Sequence, residues 1–314
     1  MAQLVKGKTA ILTGAGSGIN LAFARLLLSK GCNCVFADRE LRPEAQELVD
    51  SSDRSLFVQT DVRDWRQLRN MFKTAESQFK TVDIVCPGAG VFEPNFSNFW
   101  KPPGSPESTD SPTDGHYATL DINLIHPIRT TQLAIAHFLE TSRVNQERKT
   151  IVHISSIAGQ VPLMPTPMYA ASKHAISGFV RSLAPLDEKL GIRVAAVAPG
   201  VIKTPLWTEH PEKLKGVENS DQWVTPEAVA EVMLALVERS EIVGADIGFE
   251  SSTERIEVKG GLVVEVSAGT IREVQTYNDP GPSGPGNTIG GLNKLEDDAF
   301  SLLEQKGWGK SQLQ

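Results

Sequence analysis

The sequence has few cysteines, no cluster of cationic residues and no long apolar run. Its three cysteines, Cys32, Cys34 and Cys86, are too few for a disulfide framework. Cys32 and Cys34 lack the two further ligands that a zinc site would need nearby, so we expect buried strand cysteines and no metal site. No run of Lys or Arg exceeds two residues and the net charge is −7, which argues against nucleic-acid binding.

Two further absences bear on the cellular compartment. No stretch approaches the roughly 20 consecutive apolar residues that a membrane span needs. Residues 1–8 run into a predicted strand without the apolar region and cleavage site of a signal peptide. Because few cysteines also fit a reducing compartment, we predict a cytoplasmic protein that does not enter membranes.

Short apolar runs alternate with longer segments of helical periodicity over most of the chain. This alternation is typical of repeated βαβ units around a parallel sheet. The run Val-Ala-Ala-Val-Ala at residues 194–198 is apolar throughout, as expected for a strand buried on both faces. We predict an α/β fold with a doubly wound, Rossmann-type parallel sheet. Predicted strands lie at 9–13, 33–37, 55–59, 82–86, 150–155 and 193–198, and predicted helices at 19–29, 65–79, 117–139 and 168–183.

Two segments interrupt this alternation. Residues 93–116 contain five prolines and four serines, a composition that predicts an irregular loop. Residues 279–286 are rich in Pro and Gly and precede a short amphipathic helix with Asn293 as N-cap. We therefore predict one catalytic domain over residues 1–275 with a loop insertion at 93–116, followed by a linker and helix at 276–314.

The run from Thr13 to Asn20 places three glycines where a predicted strand hands over to a predicted helix. Such glycines let a diphosphate approach backbone N–H groups at the positive end of the helix, although a tight turn alone would also explain them. Asp38 ends the second strand about 20 residues further on, where a carboxylate accepts hydrogen bonds from ribose hydroxyls and repels a 2′-phosphate. The pattern favours NAD over NADP, a preference that the adjacent Arg39 moderates.

Tyr169 and Lys173 lie four residues apart, and hence on one face of a predicted helix. A cation beside a phenol favours the phenolate, so we expect the pKa of Tyr169 to fall towards the range of a general base. Ser155 and Ser156 end a buried strand, at the sheet edge where open α/β sheets build their sites. Either hydroxyl would hold a substrate oxygen there, although a strand-end serine is also a common turn residue.

Over about residues 5–205, these motifs resemble the short-chain dehydrogenase/reductase family in its classical NAD(P)-dependent branch. The family's first glycine motif corresponds to residues 13–20, its Asp-Val pair to Asp61 and Val62, its helix asparagine to Asn123, and its Pro-Gly motif to residues 199–204. The family separates its serine and tyrosine by 13 positions, which selects Ser156 over Ser155. Residues 56–62 and 169–174 look most like the 15-hydroxyprostaglandin dehydrogenase-like members.

The resemblance implies a role for each motif. Tyr169 would be the general acid or base, Lys173 would lower its pKa and hold the nicotinamide ribose, Ser156 would orient the substrate oxygen, and Asn123 would support a water relay. Asp61 would contact the adenine amino group, and Ile202 and Thr204 the carboxamide. The implied cofactor residues are Gly14, Ser17, Gly18, Ile19, Asn20, Asp38, Asp61, Val62, Ala89, Gly90, Tyr169, Lys173, Pro199, Gly200, Ile202 and Thr204.

The resemblance also implies a reaction and an assembly. The reaction is NAD-dependent interconversion of a secondary alcohol and a ketone. The substrate would be fairly apolar, because the family covers it with the segment after the Pro-Gly motif, here residues 205–223, which includes Leu206 and Trp207. The predicted helices 117–139 and 168–183 form subunit contacts in the family, so we expect a homodimer or homotetramer.

Two departures from the family pattern leave alternatives open. Asn20 replaces a glycine and adds a side chain where backbone approaches phosphate, which would either weaken cofactor binding or let the amide donate to the diphosphate. The family's Asn-Asn-Ala-Gly reads Pro-Gly-Ala-Gly at residues 87–90. These departures, with the added loop at 93–116, keep open a non-redox lyase or cyclase on the same scaffold, and a nucleotide-sensing binding protein is a third hypothesis.

Overall fold

The computed structural model describes residues 4–141, 147–209, 218–251 and 253–276, together with 297–298, 300–301 and 303–305 of the C-terminal segment. Within these ranges the main sheet has nine strands in the order β3-β2-β1-β4-β5-β6-β10-β11-β8. The strands are parallel except for the antiparallel pairing of β10 with β11. The predicted doubly wound α/β fold is confirmed.

The strands are β1 Thr9–Thr13, β2 Asn33–Asp38, β3 Ser55–Gln59, β4 Ile84–Cys86, β5 Lys149–Ile154, β6 Ile192–Pro199, β7 Glu241–Ile242, β8 Glu250–Ser251, β9 Ile256–Glu257, β10 Val263–Val266 and β11 Thr270–Glu273. The α-helices are α1 Gly18–Ser29, α2 Pro43–Asp50, α3 Trp65–Phe79, α4 Ala118–Leu120, α5 His126–Thr141, α6 Pro167–Ser182, α7 Pro185–Leu190, α8 Pro205–Thr208 and α9 Pro226–Glu238. A π-helical turn, Asp121–Ile125, joins α4 to α5.

Successive side chains of the central strands point to opposite faces of the sheet, so the core has two layers. Side chains such as Leu12 of β1 and Phe36 of β2 pack with α1 and α9 on one face of the sheet. Their neighbours Ile11 and Val35 pack with α3, α5 and α6 on the other face. Strand β6 is buried at all eight positions, which explains its apolar sequence, because both of its faces are covered by helices.

The sheet order places the carboxyl ends of β1, β2, β4, β5 and β6 along one edge. The order in which the parallel strands are added reverses between β1 and β4, because β2 and β3 extend to one side of β1 whereas β4, β5 and β6 extend to the other. In open α/β sheets the crevice at this switch point is where ligands bind. The turns after β1, β4, β5 and β6 therefore converge on one crevice.

The structure contains elements that the sequence analysis did not predict. The predicted continuous helix 117–139 contains the π turn, and the chain adds the helices α2, α7, α8 and α9 and the strands β7 to β11. Described residues 93–116 form turns with no helix or strand. In the tail, Phe300 and Leu303 pack against the core on the α6 side, whereas Asn293, with the linker at 279–286, lies outside the described residues.

Within the described ranges no helix is long and apolar enough to cross a membrane. The same residues contain no group of three or more His, Cys, Asp or Glu side chains arranged to hold a metal ion. Cys32, Cys34 and Cys86 are buried free thiols, and burial raises the pKa of Cys34 and Cys86 above its ordinary value. The burial of all three thiols supports the interpretation of these cysteines as packing residues.

Candidate active site

The glycine-rich turn after β1 closes tightly against the neighbouring loops. Gly14 has φ +72° and Gly18 has φ +60°, conformations that side-chain-bearing residues rarely adopt. A Cβ added at Gly14 would lie 2.7 Å from Cα of Ala89, in the loop after β4. The N-cap of α1, Ser17, makes no side-chain capping bond to any described residue. Backbone N–H groups at the start of α1 are thus left for another acceptor.

Asp38 ends β2 directly beside this turn. Its Oδ2 accepts a hydrogen bond from the Gly16 N–H at 2.8 Å, and its Oδ1 accepts from the Arg39 N–H at 2.7 Å. Thr204 approaches from the opposite side, because a Cβ added at Gly18 would lie 3.3 Å from its Cγ2. The glycine turn, Asp38 and the Pro-Gly segment therefore meet at the same place.

Asn20 points into the protein and not along the outer surface of the turn. The residue is 5% exposed, and its Oδ1 accepts from the Cys86 thiol at 3.4 Å. A Cβ added at Gly88 would lie 2.4 Å from that Oδ1 and 2.6 Å from Nδ2. The Asn20 amide therefore occupies the space that a side chain at position 88 would need.

Other expected cofactor residues line the remaining edge of the crevice. Asp61 is engaged by Arg63, whose Nη2 donates to Oδ2 at 2.7 Å, and this bond holds the pKa of Asp61 below its ordinary value. Val62 and Ile202 are buried. The Gly200 N–H donates to Val266 O at 2.9 Å, which fixes the segment that begins at Pro199 to β10, a strand that the sequence interpretation missed.

Ser156, Tyr169 and Lys173 come together beyond the end of β5. Ser156 is the N-cap of a short 3-10 turn and accepts from the Ala158 N–H at 3.1 Å. The Lys173 Nζ lies 5.5 Å from the centroid of the Tyr169 ring and donates to Ile154 O at 2.7 Å. Ser155 instead bonds Ser177 at 2.7 Å and donates to Lys173 O, so Ser156 is the serine beside the phenol.

The pKa of Tyr169 differs from the sequence expectation. Burial raises it above its ordinary value, and a hydrogen bond with Ser156 offsets only part of that effect. Burial also lowers the pKa of Lys173 to about 8. The predicted lowering of the Tyr169 pKa is wrong for the chain itself, because desolvation of the phenol outweighs an ammonium that donates to a backbone carbonyl.

Asn123 lies in the π turn and is 1% exposed. Its Oδ1 accepts from the Val91 N–H and its Nδ2 donates to Val91 O, both at 2.8 Å. A Cβ added at Gly90 would lie 3.4 Å from Asn123 Oδ1 and 4.0 Å from Lys173 Nζ. Gly90 therefore lies in contact range of both side chains, and π turns often mark functional sites.

A buried histidine ties the π turn to the glycine-rich turn. His126 Nδ1 lies 3.0 Å from Ile122 O and its Nε2 lies 3.0 Å from the Thr13 hydroxyl. Because a carbonyl can only accept, Nδ1 carries the proton and Nε2 accepts from Thr13. Thr13 in turn accepts from the Ala89 N–H at 3.1 Å. Burial lowers the pKa of His126 to about 4, so the chain of bonds uses the neutral imidazole.

A row of aromatic rings extends from Tyr169. Its ring centroid lies 4.7 Å from that of Phe92, which lies 5.1 Å from Trp207, which lies 5.9 Å from Trp223. Trp207 and Trp223 belong to the segment 205–223, which was expected to cover the substrate. Two other apolar residues of that segment, Leu214 and Val217, fall outside the described residues. Sequence reasoning missed Phe92, because its only signal was its place two residues after Gly90.

Comparisons with known proteins agree with this arrangement. A family model described as short chain dehydrogenase matches residues 8–215. 15-Hydroxyprostaglandin dehydrogenase [NAD(+)] of Rattus norvegicus is 31% identical over 260 residues, 77% of this chain and 90% of the relative. Cis-4-hydroxycyclohexanecarboxylate dehydrogenase of Sinomonas cyclohexanicum is 30% identical over 253 residues, 78% and 96% of the two chains. The solved 3-ketoacyl-(acyl-carrier-protein) reductase from Brucella melitensis, complexed with NADH, aligns with a TM-score of 0.62 and 25% identity, covering 74% of this chain and 91% of the other.

Proposed function

The chain belongs to the short-chain dehydrogenase family, and from this premise we propose that it interconverts a secondary alcohol and a ketone with NAD, using Tyr169 as general acid/base. Family membership makes it an oxidoreductase that acts on alcohols with a nicotinamide cofactor. The observation that carries the finer proposal is the convergence of Ser156, Tyr169, Lys173 and Asn123 beside Gly90, at the sheet edge that holds the glycine-rich turn.

The residues present fit a dinucleotide. The uncapped start of α1, with Gly14 and Gly18 in left-handed conformations, offers backbone N–H groups to a diphosphate. Lys173 is the cation beside Gly90, and the space there has no side chain to fill it. A bound nicotinamide would supply the acceptor or donor of the hydride. The protein would supply position, proton transfer and the exclusion of water.

Asp38 supports NAD over NADP. Its carboxylate lies at the end of β2 and is held towards the glycine turn by the Gly16 N–H. A phosphate ester placed at that position would meet a negative charge, whereas ribose hydroxyls would find an acceptor. Arg39, next in the chain, is exposed and reduces this discrimination without removing it.

The aromatic row supports an apolar substrate. Phe92, Trp207 and Trp223 continue directly from Tyr169, so a substrate oxygen held at the phenol would have its carbon body against these rings. The names of both dehydrogenase relatives denote hydroxyl-bearing organic molecules. We infer a substrate with an apolar ring or chain adjoining the reacting carbon.

The raised pKa of Tyr169 gives the reaction a pH dependence. The phenol is protonated at neutral pH, the form that donates a proton to a carbonyl oxygen during reduction. Alcohol oxidation needs the phenolate to accept the hydroxyl proton, so its rate should rise as the pH increases above neutrality. Ser156 bonds the phenol and would hold the substrate oxygen next to it.

The departures that suggested other functions have a packing explanation. Asn20 is directed at Gly88 and Cys86, so the unusual pair of motifs fits together without altering the crevice where the cofactor would lie. Within the described residues, no observation at the crevice favours a lyase, a cyclase or a nucleotide sensor over the oxidoreductase.

A nicotinamide-absorbance assay tests the proposal. Purified protein is mixed with NAD⁺ or NADP⁺ and a panel of secondary alcohols that runs from small polar to ring-bearing apolar compounds. Tyr169→Phe should abolish turnover while retaining NADH binding, measured by fluorescence. The matched control is Tyr117→Phe, a half-buried tyrosine at the start of α4, which should remain active. Undiminished turnover by Tyr169→Phe would refute the assigned mechanism.

A further inference from the structure

A buried carboxylate holds the backbone of Tyr169 from outside its own helix. Glu93 is 1% exposed, and its Oε2 accepts from the Tyr169 N–H at 2.9 Å. Its Oε1 accepts from the Phe99 N–H at 3.0 Å. Both side-chain oxygens of Glu93 are thus occupied by backbone N–H donors.

This carboxylate takes the place of a helix cap. Helix α6 has Thr166 at its N-cap position, yet the Thr166 hydroxyl makes no capping bond and has no partner among the described residues. The N–H groups of a first helical turn need acceptors, and an anion there is favoured by the helix dipole. Tyr169 is the third residue of α6. Glu93, which lies 76 positions earlier in the chain, provides both the acceptor and the negative charge at its backbone N–H.

The geometry at Glu93 is strained, which indicates that the surrounding structure fixes it. Its φ is +42°, in the left-handed region that a non-glycine residue rarely occupies. Such conformations persist where neighbouring bonds over-determine them, and they cluster at functional sites. Here the Asn98 amide donates to Glu93 O at 3.0 Å, so side chain and backbone of Glu93 are both held.

The same carboxylate joins the loop 93–116 to the helix that carries the phenol. A second link runs in parallel, because Trp100 Nε1 donates to Met164 O at 3.0 Å, just before α6. On its other side the loop is fixed to α4 through Ser97, which accepts from the Thr119 N–H at 2.9 Å and whose carbonyl accepts from the Thr119 hydroxyl at 2.7 Å. The loop is thus built between the π-turn region and the N-terminus of α6.

We propose that Glu93 is a positioning residue for Tyr169, setting the place of its phenol by holding the backbone N–H at the start of α6. The assignment rests on the proposed role of Tyr169 as general acid/base. Three described residues then contact Tyr169 from three elements: Ser156 after β5 and Lys173 one turn along α6 lie at the phenol, and Glu93 on the loop after β4 bonds the backbone N–H.

The experiment compares Glu93→Gln with Glu107→Gln. Glu107 lies on the same loop, is exposed, and is paired with Lys101 at 3.1 Å, so the control removes one carboxylate without touching α6. Glutamine keeps the shape of Glu93 but offers only one acceptor oxygen and no charge. For each variant, the pH profile of kcat for alcohol oxidation, the KM of substrate, NADH affinity and the melting temperature are measured.

Glu93→Gln should lower kcat by about 10- to 100-fold, since misplacement of a reacting group costs rate steeply, with NADH affinity retained. The loss should fall on kcat, with the KM of the substrate close to the wild-type value. Glu107→Gln should match the wild type in both measurements. Wild-type kcat in Glu93→Gln, or a lowered kcat accompanied by an equal loss of NADH affinity, would overturn the proposal.

Glu93→Asp keeps the test decisive if the glutamine variant does not fold. Aspartate keeps both acceptor oxygens but is one methylene shorter, so it should not reach the Tyr169 N–H from the same backbone position and kcat should fall. Wild-type kcat in Glu93→Asp would contradict a positioning role. The outcome is separable from the main proposal: an active Tyr169→Phe variant would refute the function, whereas an inactive one with a fully active Glu93→Gln would refute only the role of Glu93.

Discussion

Asn20 and Gly88 should behave as one exchanged pair. The family places glycine at the first position and asparagine in the loop after β4, and this chain has the reverse: Asn20 fills the space against Gly88. Because the two positions share one volume, only one of them can carry a side chain. Gly88→Ala should therefore destabilise the protein strongly, and a second substitution, Asn20→Gly, should relieve most of that cost.

The magnitude follows from the overlap of atoms that a side chain at position 88 would create. A Cβ at residue 88 would lie within 2.4–2.8 Å of Oδ1, Nδ2 and Cγ of Asn20, and Asn20 is 5% exposed and cannot turn into solvent. Overpacking of this kind costs about 1–3 kcal/mol. Asn20→Gly costs about 0.3 kcal/mol in helix propensity. In the double variant the overlap is absent, so the two changes should couple favourably by about 1–3 kcal/mol.

The wild type, Gly88→Ala, Asn20→Gly and the double variant form a double-mutant cycle. Equilibrium unfolding in urea measures the free energy of unfolding of each of the four proteins, and the melting temperature should move by about 2 °C for each kcal/mol. Gly178→Ala in α6 is the control, since a Cβ there meets no described atom within 4 Å; it should leave stability unchanged or raise it. The family-like swap Asn20→Gly with Gly88→Asn should also retain NADH binding. Additive free energies in the cycle would refute the shared-volume argument.

Three further predictions concern the cofactor, the substrate and acid stability. Asp38→Ala should lower the ratio of kcat/KM with NAD⁺ to that with NADP⁺ by about tenfold or more, and an unchanged ratio would remove Asp38 from cofactor choice. Trp207→Ala should raise KM for apolar alcohols by about 10- to 100-fold while sparing NADH affinity; equal effects on small polar alcohols would contradict the aromatic-row assignment. Burial lowers the pKa of His126 and His137 to about 4 and that of His153 to about 3. Their contribution to stability is therefore complete above about pH 6.5 and is lost as the pH falls towards 4, so that at pH 5.5 each histidine should cost about 1.4 kcal/mol of unfolding free energy. A melting temperature that does not change from pH 7.5 to 5.5 would refute this.

The parts of the fold that were predictable are those where local sequence and burial agree. The unbroken apolar run of β6 and the amphipathic helix Trp65–Phe79 were located closely, because each pattern is explained by its own packing. The π turn at Asp121–Ile125 was not, since its composition does not differ from that of the helix around it. The strand Val263–Val266 was missed although it carries an apolar run after two glycines, a signal that β-strand reasoning could have used.

In the site, motif spacing located Asn123, Ser156, Tyr169 and Lys173, and the structure brings their elements to one crevice. Glu93 had no sequence signal, because a single Glu at the start of a proline-rich loop predicts nothing about a helix 76 positions away. The sign of the Tyr169 pKa shift also depended on burial, which spacing does not report. The domain limits, the homo-oligomer and the cytoplasmic location stay predictions.

Departures from a family motif are better interpreted through the space they share than one position at a time. Taken one at a time, Asn20 left weakened cofactor binding open, and together with the changed motif at residues 87–90 it left another kind of enzyme open. In space, the amide of Asn20 lies where a side chain at position 88 would lie, and it bonds Cys86 at the end of β4. This bond links the end of β4 to helix α1. In helix α6, the acceptor that Thr166 does not provide at the N-terminus comes from Glu93. In both cases a residue distant in sequence fills the space or makes the bond that the local motif leaves open.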